Sequence, residues 1–155
     1  MFKRCFILLV LFLSACAPSK GETEQAHETL AAYFDALNQA DYEMVIELYG
    51  GSYEGMINSN PSLDPDDRLA LWKNACTING NKCDLQVRTM TFGEGTDDTY
   101  SFIVEFNNPD GTLFTLGPCC GARAGDFPPV SEFEYRVRKL SSGKFVVLDM
   151  PVYVP

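Results

Sequence analysis

Cys16 stands directly behind a short apolar segment, and this placement has the clearest chemical consequence in the sequence. Met1–Arg4 carries two positive charges, Phe6–Leu13 is apolar, and Ala15 is the small residue that a signal peptidase requires before its cleavage site. Eight apolar residues are too few to cross a hydrocarbon core roughly 30 Å thick. The segment therefore predicts a secretory signal peptide over residues 1–15 rather than a transmembrane helix.

The four residues Leu13-Ser14-Ala15-Cys16 resemble the lipobox of bacterial lipoproteins. In that family the cysteine is lipidated and becomes the N-terminus of the mature protein. The resemblance implies an extracytoplasmic protein that is held to the membrane by fatty acids on Cys16, with residues 16–22 as a tether. In a Gram-negative cell the expected location is the outer membrane, because Ala17 stands where an aspartate commonly retains lipoproteins at the inner membrane.

The four cysteines outside the signal and lipidation site lie in a compartment that favours disulfide bonds. Cys76 and Cys83 enclose a turn-rich loop, so we predict a bond between them. Closing such a loop stabilises a fold by about 2–3 kcal/mol on the chain-entropy model. A second disulfide between Cys119 and Cys120 would be vicinal and strained. A bond from either of them to Cys76 or Cys83 is the alternative, and the sequence does not choose between the pairings.

Metal and nucleophile chemistry has little support in the sequence. A structural zinc site favours cysteine pairs two to four residues apart, whereas one pair here is separated by six residues and the other is adjacent. His27 is the only histidine, so histidine metal centres and Ser-His-Asp or Cys-His relays lack members, and we expect it at the surface. No phosphate-binding glycine loop is present. We predict no metal and no cofactor.

The charge balance excludes one class of partner. Removing residues 1–15 takes away Lys3 and Arg4 and moves the formal net charge from −9 to −11. A protein with this negative charge has no electrostatic footprint for nucleic acid or for anionic lipid headgroups.

The chain length predicts a single domain. The 140 residues that remain after removal of residues 1–15 are enough for one domain with its own core, which we place at residues 23–155.

Hydrophobic periodicity predicts helices first and strands afterwards. A period near 3.6 residues predicts three helices with N-caps at Thr23, Asp41 and Asp64, and a polar loop over residues 52–62. After Cys83 the period falls to two. This predicts five strands: Leu85–Phe92, Tyr100–Phe106, Thr112–Leu116, Phe133–Val137 and Lys144–Met150. The order indicates an α+β fold with helices on one face of an antiparallel sheet.

The segment Ala32–Tyr42, followed by Ile46-Glu47-Leu48-Tyr49, resembles the opening helix pair of NTF2-like (cystatin-like α+β cone) domains. The resemblance extends over residues 22–155 in the order of elements. It implies N-terminal helices packed on a curved antiparallel sheet that encloses a conical pocket. The matching residues form a packing motif without a catalytic residue, so small-ligand binding is an inference from the fold.

Aromatic side chains are the candidates to line such a cone, because tyrosine and tryptophan place a polar tip in an apolar wall. The candidates are Tyr49, Trp72, Tyr100, Phe102 and Tyr135, for which the alternative is a purely structural place in the core. Ketosteroid isomerases and polyketide cyclases, the enzymes that this fold resembles, use a buried Asp or Tyr. Glu105 and Asp149 lie in apolar strands; alternation directs Glu105 outward and leaves the direction of Asp149 open. We assign no catalytic residue.

Three functions follow from these observations. The first is a lipid-anchored, non-enzymatic domain that binds an apolar small molecule or an envelope protein. The second is a cofactor-free pocket enzyme of the isomerase or cyclase type. The third is a structural protein-interaction module of the cell envelope. A closed pocket with a buried carboxylate would favour the second, and a filled interior with an exposed apolar patch would favour the third.

Replacing Cys16 by alanine should release the protein from the membrane fraction or leave it unprocessed, because the predicted acyl chains are attached to that sulfur. Metabolic labelling with a fatty acid, followed by fractionation, measures both effects. Cys5→Ala is the matched control, since it changes a cysteine inside the signal segment. A wild-type chain that takes up no label would contradict the prediction.

Overall fold

The fold is described by a computed structural model at residues 19–117, 125 and 128–155. Within these residues the chain forms four helices and four strands. They are α1 (Lys20–Asn38), α2 (Tyr42–Leu48), α3 (Glu54–Ser59), α4 (Arg68–Thr77), β1 (Gln86–Gly95), β2 (Thr99–Asn107), β3 (Glu132–Lys139) and β4 (Phe145–Val147). The strands pair antiparallel in the order β1-β2-β3-β4, so each neighbours the one before it. The α+β class and the antiparallel sheet are confirmed.

Helix α1 begins before the predicted cap at Thr23. Ser19 is the N-cap: its hydroxyl accepts from the Glu22 backbone N–H at 3.3 Å, and the Glu22 carboxylate accepts from the Ser19 N–H at 3.3 Å. This reciprocal capping box satisfies two backbone donors that a single Thr23 cap would leave open. The prediction was wrong here because Pro18 and Gly21 made the segment look like a tether.

The helices that follow differ from the predicted pattern in two places. Asp41 caps α2 as predicted, but the cap of α4 is Asp67, which accepts from the Ala70 N–H at 3.0 Å, rather than Asp64. The predicted polar loop contains helix α3. Met56 of α3 is buried in the core, so tertiary burial stabilises a short helix that local periodicity does not indicate.

The strands also differ from the prediction at two of the five places. Thr112–Leu116 makes only isolated bridges, Leu113 with Asn107 and Leu116 with Val130. The last strand has three residues rather than seven. It ends early because the Asp149 carboxylate accepts from the Arg136 backbone N–H at 2.7 Å, so a side chain takes the donor that would continue the ladder.

The core lies between α1 and one face of the sheet. Phe34 of α1 packs edge-on against Phe106 and Tyr135, with ring centroids 5.0 and 4.9 Å apart. The buried side of the sheet consists of Tyr100, Phe102, Val104, Phe106, Tyr135, Val137 and Val147. Glu134 and Arg136, which alternate with these residues on β3, are exposed on the other face.

The predicted Cys76–Cys83 disulfide is present. It joins the last turn of α4 to the segment that leads into β1. The enclosed loop also bonds to the C-terminal segment, because the Lys82 N–H donates to the Val152 carbonyl at 2.8 Å and the Val154 N–H donates to the Gly80 carbonyl at 2.9 Å. Backbone pairing and the covalent bond therefore hold the same loop.

A short extended segment after α2 lies beside β4. The Gly50 N–H donates to the Val147 carbonyl at 2.8 Å, and Tyr49 forms a parallel bridge with Val147. A Cβ atom on Gly51 would collide with the Leu148 carbonyl and the Tyr49 ring. This close approach of two backbones requires glycine at position 51.

Gly51→Ala should lower the free energy of unfolding by about 1–3 kcal/mol, because the added methyl group overpacks a site bounded by backbone. Gly55→Ala is the matched control, since a Cβ there meets nothing within 4 Å and alanine favours helix α3. Urea denaturation of both variants measures the difference. Equal stability of the two variants would contradict the packing argument.

Candidate functional site

Two of the five predicted pocket residues, Tyr49 and Trp72, lie in an aromatic cluster inside the fold. Their ring centroids are 5.1 Å apart, and Tyr33 of α1 contacts both rings. The polar tips are used internally: the Trp72 Nε1–H donates to the Tyr53 hydroxyl at 3.2 Å, and the Tyr49 hydroxyl donates to the Ser52 carbonyl at 2.9 Å. Burial raises the pKa of Tyr49 to about 12. These residues act as core.

Tyr100 and Tyr135 are also buried on the helix-facing side of the sheet. The Tyr100 hydroxyl has no hydrogen-bond partner among the described residues. Burial raises the pKa of Tyr100, and the negative charge of Glu22 adds to this rise. Burial is also the largest cause of the raised pKa of Tyr135, and the negative charge of Asp149 is the second cause. Both hydroxyls therefore stay protonated near neutral pH.

Phe102, the fifth predicted residue, forms the floor of a groove that is open to the surface. The groove, which we call the α1–β1 groove, has a volume of about 360 Å³ and is lined by Lys20, Thr23, Glu24, His27, Phe92 and Phe102. The His27 ring stands edge-on to Phe102 at 5.9 Å, and Phe92 does so at 5.8 Å. Phe102 is 1% exposed, whereas Phe92 is 39% exposed.

The α1–β1 groove is formed by one row of side chains on helix α1 and by one cross-strand pair of the sheet. Its four helical residues recur at i, i+3, i+4 and i+7, which places them on one face over the first two turns of α1. Phe92 and Phe102 lie directly opposite each other in the β1–β2 ladder and so share a face of the sheet. The sequence contains this row, but a helix predicted to begin at Thr23 leaves Lys20 outside it.

The chemistry of the groove is an aromatic floor with a polar rim. An ammonium, a carboxylate and an imidazole stand beside two phenyl rings. Sites for small molecules have this composition, in which apolar walls supply affinity and a few polar groups fix the orientation of the ligand.

A second groove, of about 590 Å³, lies at the other end of α1 beside the disulfide. Its walls are the C-terminal turn of α1, Tyr42 and the loop Cys76–Asp84. None of the predicted aromatic residues lines it. Its lining mixes loop backbone with charged side chains such as Lys82 and Asp84, so it is the less apolar of the two grooves.

The two carboxylates that the sequence singled out lie outside the α1–β1 groove. Glu105 faces outward, as expected, and accepts from the Thr89 hydroxyl at 2.9 Å. Asp149, whose direction the sequence left open, binds the Arg136 guanidinium as well as its backbone N–H. This hydrogen-bonded pair raises the pKa of Arg136. Both carboxylates are therefore engaged by neighbours on the sheet.

The part of the chain that the structure describes contains no group of three or more His, Cys, Asp or Glu side chains placed to hold a metal ion. Nor does any helix among those residues have the length and apolar character needed to span a membrane. The predicted lipidation residue Cys16 and the two cysteines whose pairing the sequence left open, Cys119 and Cys120, lie outside the described residues.

The chain matches no protein-family model and no curated protein sequence.

Stability between pH 5 and 2 should depend on Glu22, which binds the Lys139 ammonium and the Ser19 hydroxyl and backbone N–H. These bonds lower the pKa of Glu22 from its ordinary 4.5 to about 2, with the Lys139 bond as the largest cause. The stabilisation is complete above the unfolded-state pKa and is lost as the pH falls from about 4.5 towards 2. In the Glu22→Gln variant, the free energy of unfolding should change less with pH across this range than it does in the wild type.

Thermal unfolding at half-unit pH steps measures this effect. Glu28→Gln, on the exposed face of the same helix, is the matched control and should retain the slope of the wild type. If Glu22→Gln keeps the wild-type slope as well, the ion pair with Lys139 does not contribute in solution.

Proposed function

We propose that the chain is a membrane-anchored extracytoplasmic lipoprotein whose NTF2-like domain binds a small, largely apolar ligand in the α1–β1 groove. The ligand class is a ring-containing or lipid-like molecule with one polar end. The observation that carries the proposal is the Phe92–Phe102 pair, in which one ring is buried and its cross-strand partner is open to solvent inside a groove.

The energetics of that pair favour an apolar occupant. Covering a large apolar side chain removes surface from water, and full burial of a phenylalanine is worth about 1.5–3 kcal/mol. A ligand plane against Phe92 would recover part of this while keeping its polar end near Lys20 and His27 at the rim. The aromatic floor is fixed by the sheet, so little ordering cost falls on the protein when the ligand binds.

The order of elements supports an NTF2-like arrangement. A helix pair precedes an antiparallel meander, and α1 packs across all four strands. The segment around Tyr49 extends the sheet beyond β4 through its bridge to Val147. In this proposal the aromatic rings of Tyr33, Tyr49 and Trp72 fill the interior of the cone, and the α1–β1 groove lies on its open side.

The proposed anchor would bring this groove close to the bilayer. Ser19 caps α1 only three residues after Cys16. Three extended residues reach about 10 Å, so the first turns of α1 would stand near the headgroups. An apolar ligand could then pass between the bilayer and the groove over a short distance.

A structural interaction module is the second candidate, because the described interior is packed with aromatic rings in mutual contact. Two large apolar side chains are exposed near the disulfide end of the domain, Ile78 at 72% and Tyr153 at 56%. A protein partner at that end would cover them. The binding experiment below separates the two functions.

Phe92→Ala should weaken ligand binding about tenfold, because it removes the exposed ring of the pair. Val87→Ala is the matched control: Val87 lies on the same strand with 38% exposure, against 39% for Phe92, but outside the groove. Thermal shifts of residues 19–155 against sterol-like, lipid-like and aromatic compounds identify the ligand, and calorimetry gives the two Kd values.

Equal losses of ligand affinity in Phe92→Ala and Val87→Ala would show that the ligand binds outside the α1–β1 groove. The absence of a thermal shift with every class of compound would favour the structural interaction module.

A further inference from the structure

Strand β1 forms one edge of the sheet. The strand order leaves its outer side without a partner strand among the described residues, and eight of its ten residues are exposed. An edge strand of this length presents a row of free backbone N–H and C=O groups. Its apolar side chains Val87 and Phe92 are among the exposed large apolar residues of the molecule. The edge is therefore open to pairing.

The sequence of β1 is complementary to itself when it is read in the antiparallel direction about Thr91. Arg88 and Glu94 stand three residues to either side of Thr91 and carry opposite charges. Met90 and Phe92 flank it and lie on the helix-facing side of the sheet, opposite Val104 and Phe102. The register with β2 is regular from Thr89 to Phe92, and Arg88 and Glu94 lie at the irregularities on either side of this stretch. A regular centre is thus bounded by complementary charges.

We propose that two copies of this chain associate by antiparallel pairing of their β1 strands about a two-fold axis at Thr91. In this register Arg88 faces Glu94 of the partner subunit, and the symmetry repeats the pair. Met90 lies beside the partner's Phe92, so an apolar cross-strand pair also occurs twice. The two four-stranded sheets join into one of eight strands, and the bare edge is removed from each copy.

The association also bears on the α1–β1 groove. Phe92 belongs to both features, and the partner's Met90 would add an apolar wall beside it. The paired segment is short, so the contact lies at the small end of stable interfaces and the dimer is weak in solution. Two chains held on one membrane would meet at a higher effective concentration than free chains.

Charge reversal tests the register, with the full chain in detergent studied by analytical ultracentrifugation. Arg88→Glu alone and Glu94→Arg alone each create two like-charge contacts and should raise the dimer Kd roughly tenfold. The double variant Arg88→Glu/Glu94→Arg should return it to within about twofold of the wild type. Six residues along one strand span about 20 Å, so the two side chains do not meet within a chain and this rescue requires a second copy.

Lys73→Glu, on the exposed face of α4, is the control for net charge and should leave the dimer Kd unchanged. Circular dichroism of each variant verifies the fold. A chain that stays monomeric at all concentrations would overturn the proposal, and such an edge would then be free for an extended segment of another protein. A dimer that all the reversals leave unchanged would overturn it as well.

Crosslinking gives an independent measurement in intact membranes. Thr91→Cys places a thiol on the two-fold axis, where directly opposed Cα atoms lie about 4.5–5.5 Å apart, within the range for a disulfide. It should form a dimer on a non-reducing gel beyond the wild-type background. Thr89→Cys is the control, because it faces Gly93 of the partner subunit and not its own copy. Equal crosslinking of the two would contradict the register. Neither experiment contains ligand, so its outcome is independent of the proposed binding function.

Discussion

The packing of helix α1 against the sheet is the contact on which the other parts of the fold depend. Phe34 makes this contact with Phe106 and Tyr135 of the sheet. The adjacent Tyr33 joins α1 to other segments: its ring contacts Tyr49 and Trp72, and its hydroxyl donates to the Asp149 carbonyl at 3.2 Å. Neighbouring side chains thus connect α1 with the sheet, with the end of α2, with α4 and with the C-terminal segment. Closely packed rings of this kind tolerate little displacement, so the position of α1 sets the positions of its neighbours.

The placement of α1 also determines where a site can exist. The helix covers the aromatic residues of β2 and β3, so the interior is occupied by protein and the accessible surface lies at its margins. Next to β1, the helix covers Phe102 but leaves its cross-strand partner Phe92 partly exposed. The α1–β1 groove is a direct result, because an edge strand carries the same alternation as its neighbour without the same cover.

Two ion pairs join β3 to the surrounding segments. Lys139 at one end binds Glu22 in the first turn of α1, and Arg136 binds Asp149 in the segment after β4. Arg136 is largely exposed, so this pair contributes little through charge alone. Its structural effect is geometric: the Asp149 carboxylate also ends the ladder and lets the chain leave the sheet towards the disulfide loop.

The sequence by itself determined the α+β class, with helices before strands, and the inward side of β2 and β3, and it favoured the Cys76–Cys83 bond, since these depend on alternation, capping and loop length over a few residues. Capping at Asp41 was equally local. Only the tertiary structure decided that Tyr49 and Trp72 fill the core, that Met56 supports a helix in a polar segment, and that Asp149 shortens the last strand. Each of these depends on a neighbour that is distant along the chain. Periodicity assigns a side chain to a face, whereas the elements packed against that face decide whether it meets another ring, an arginine or solvent.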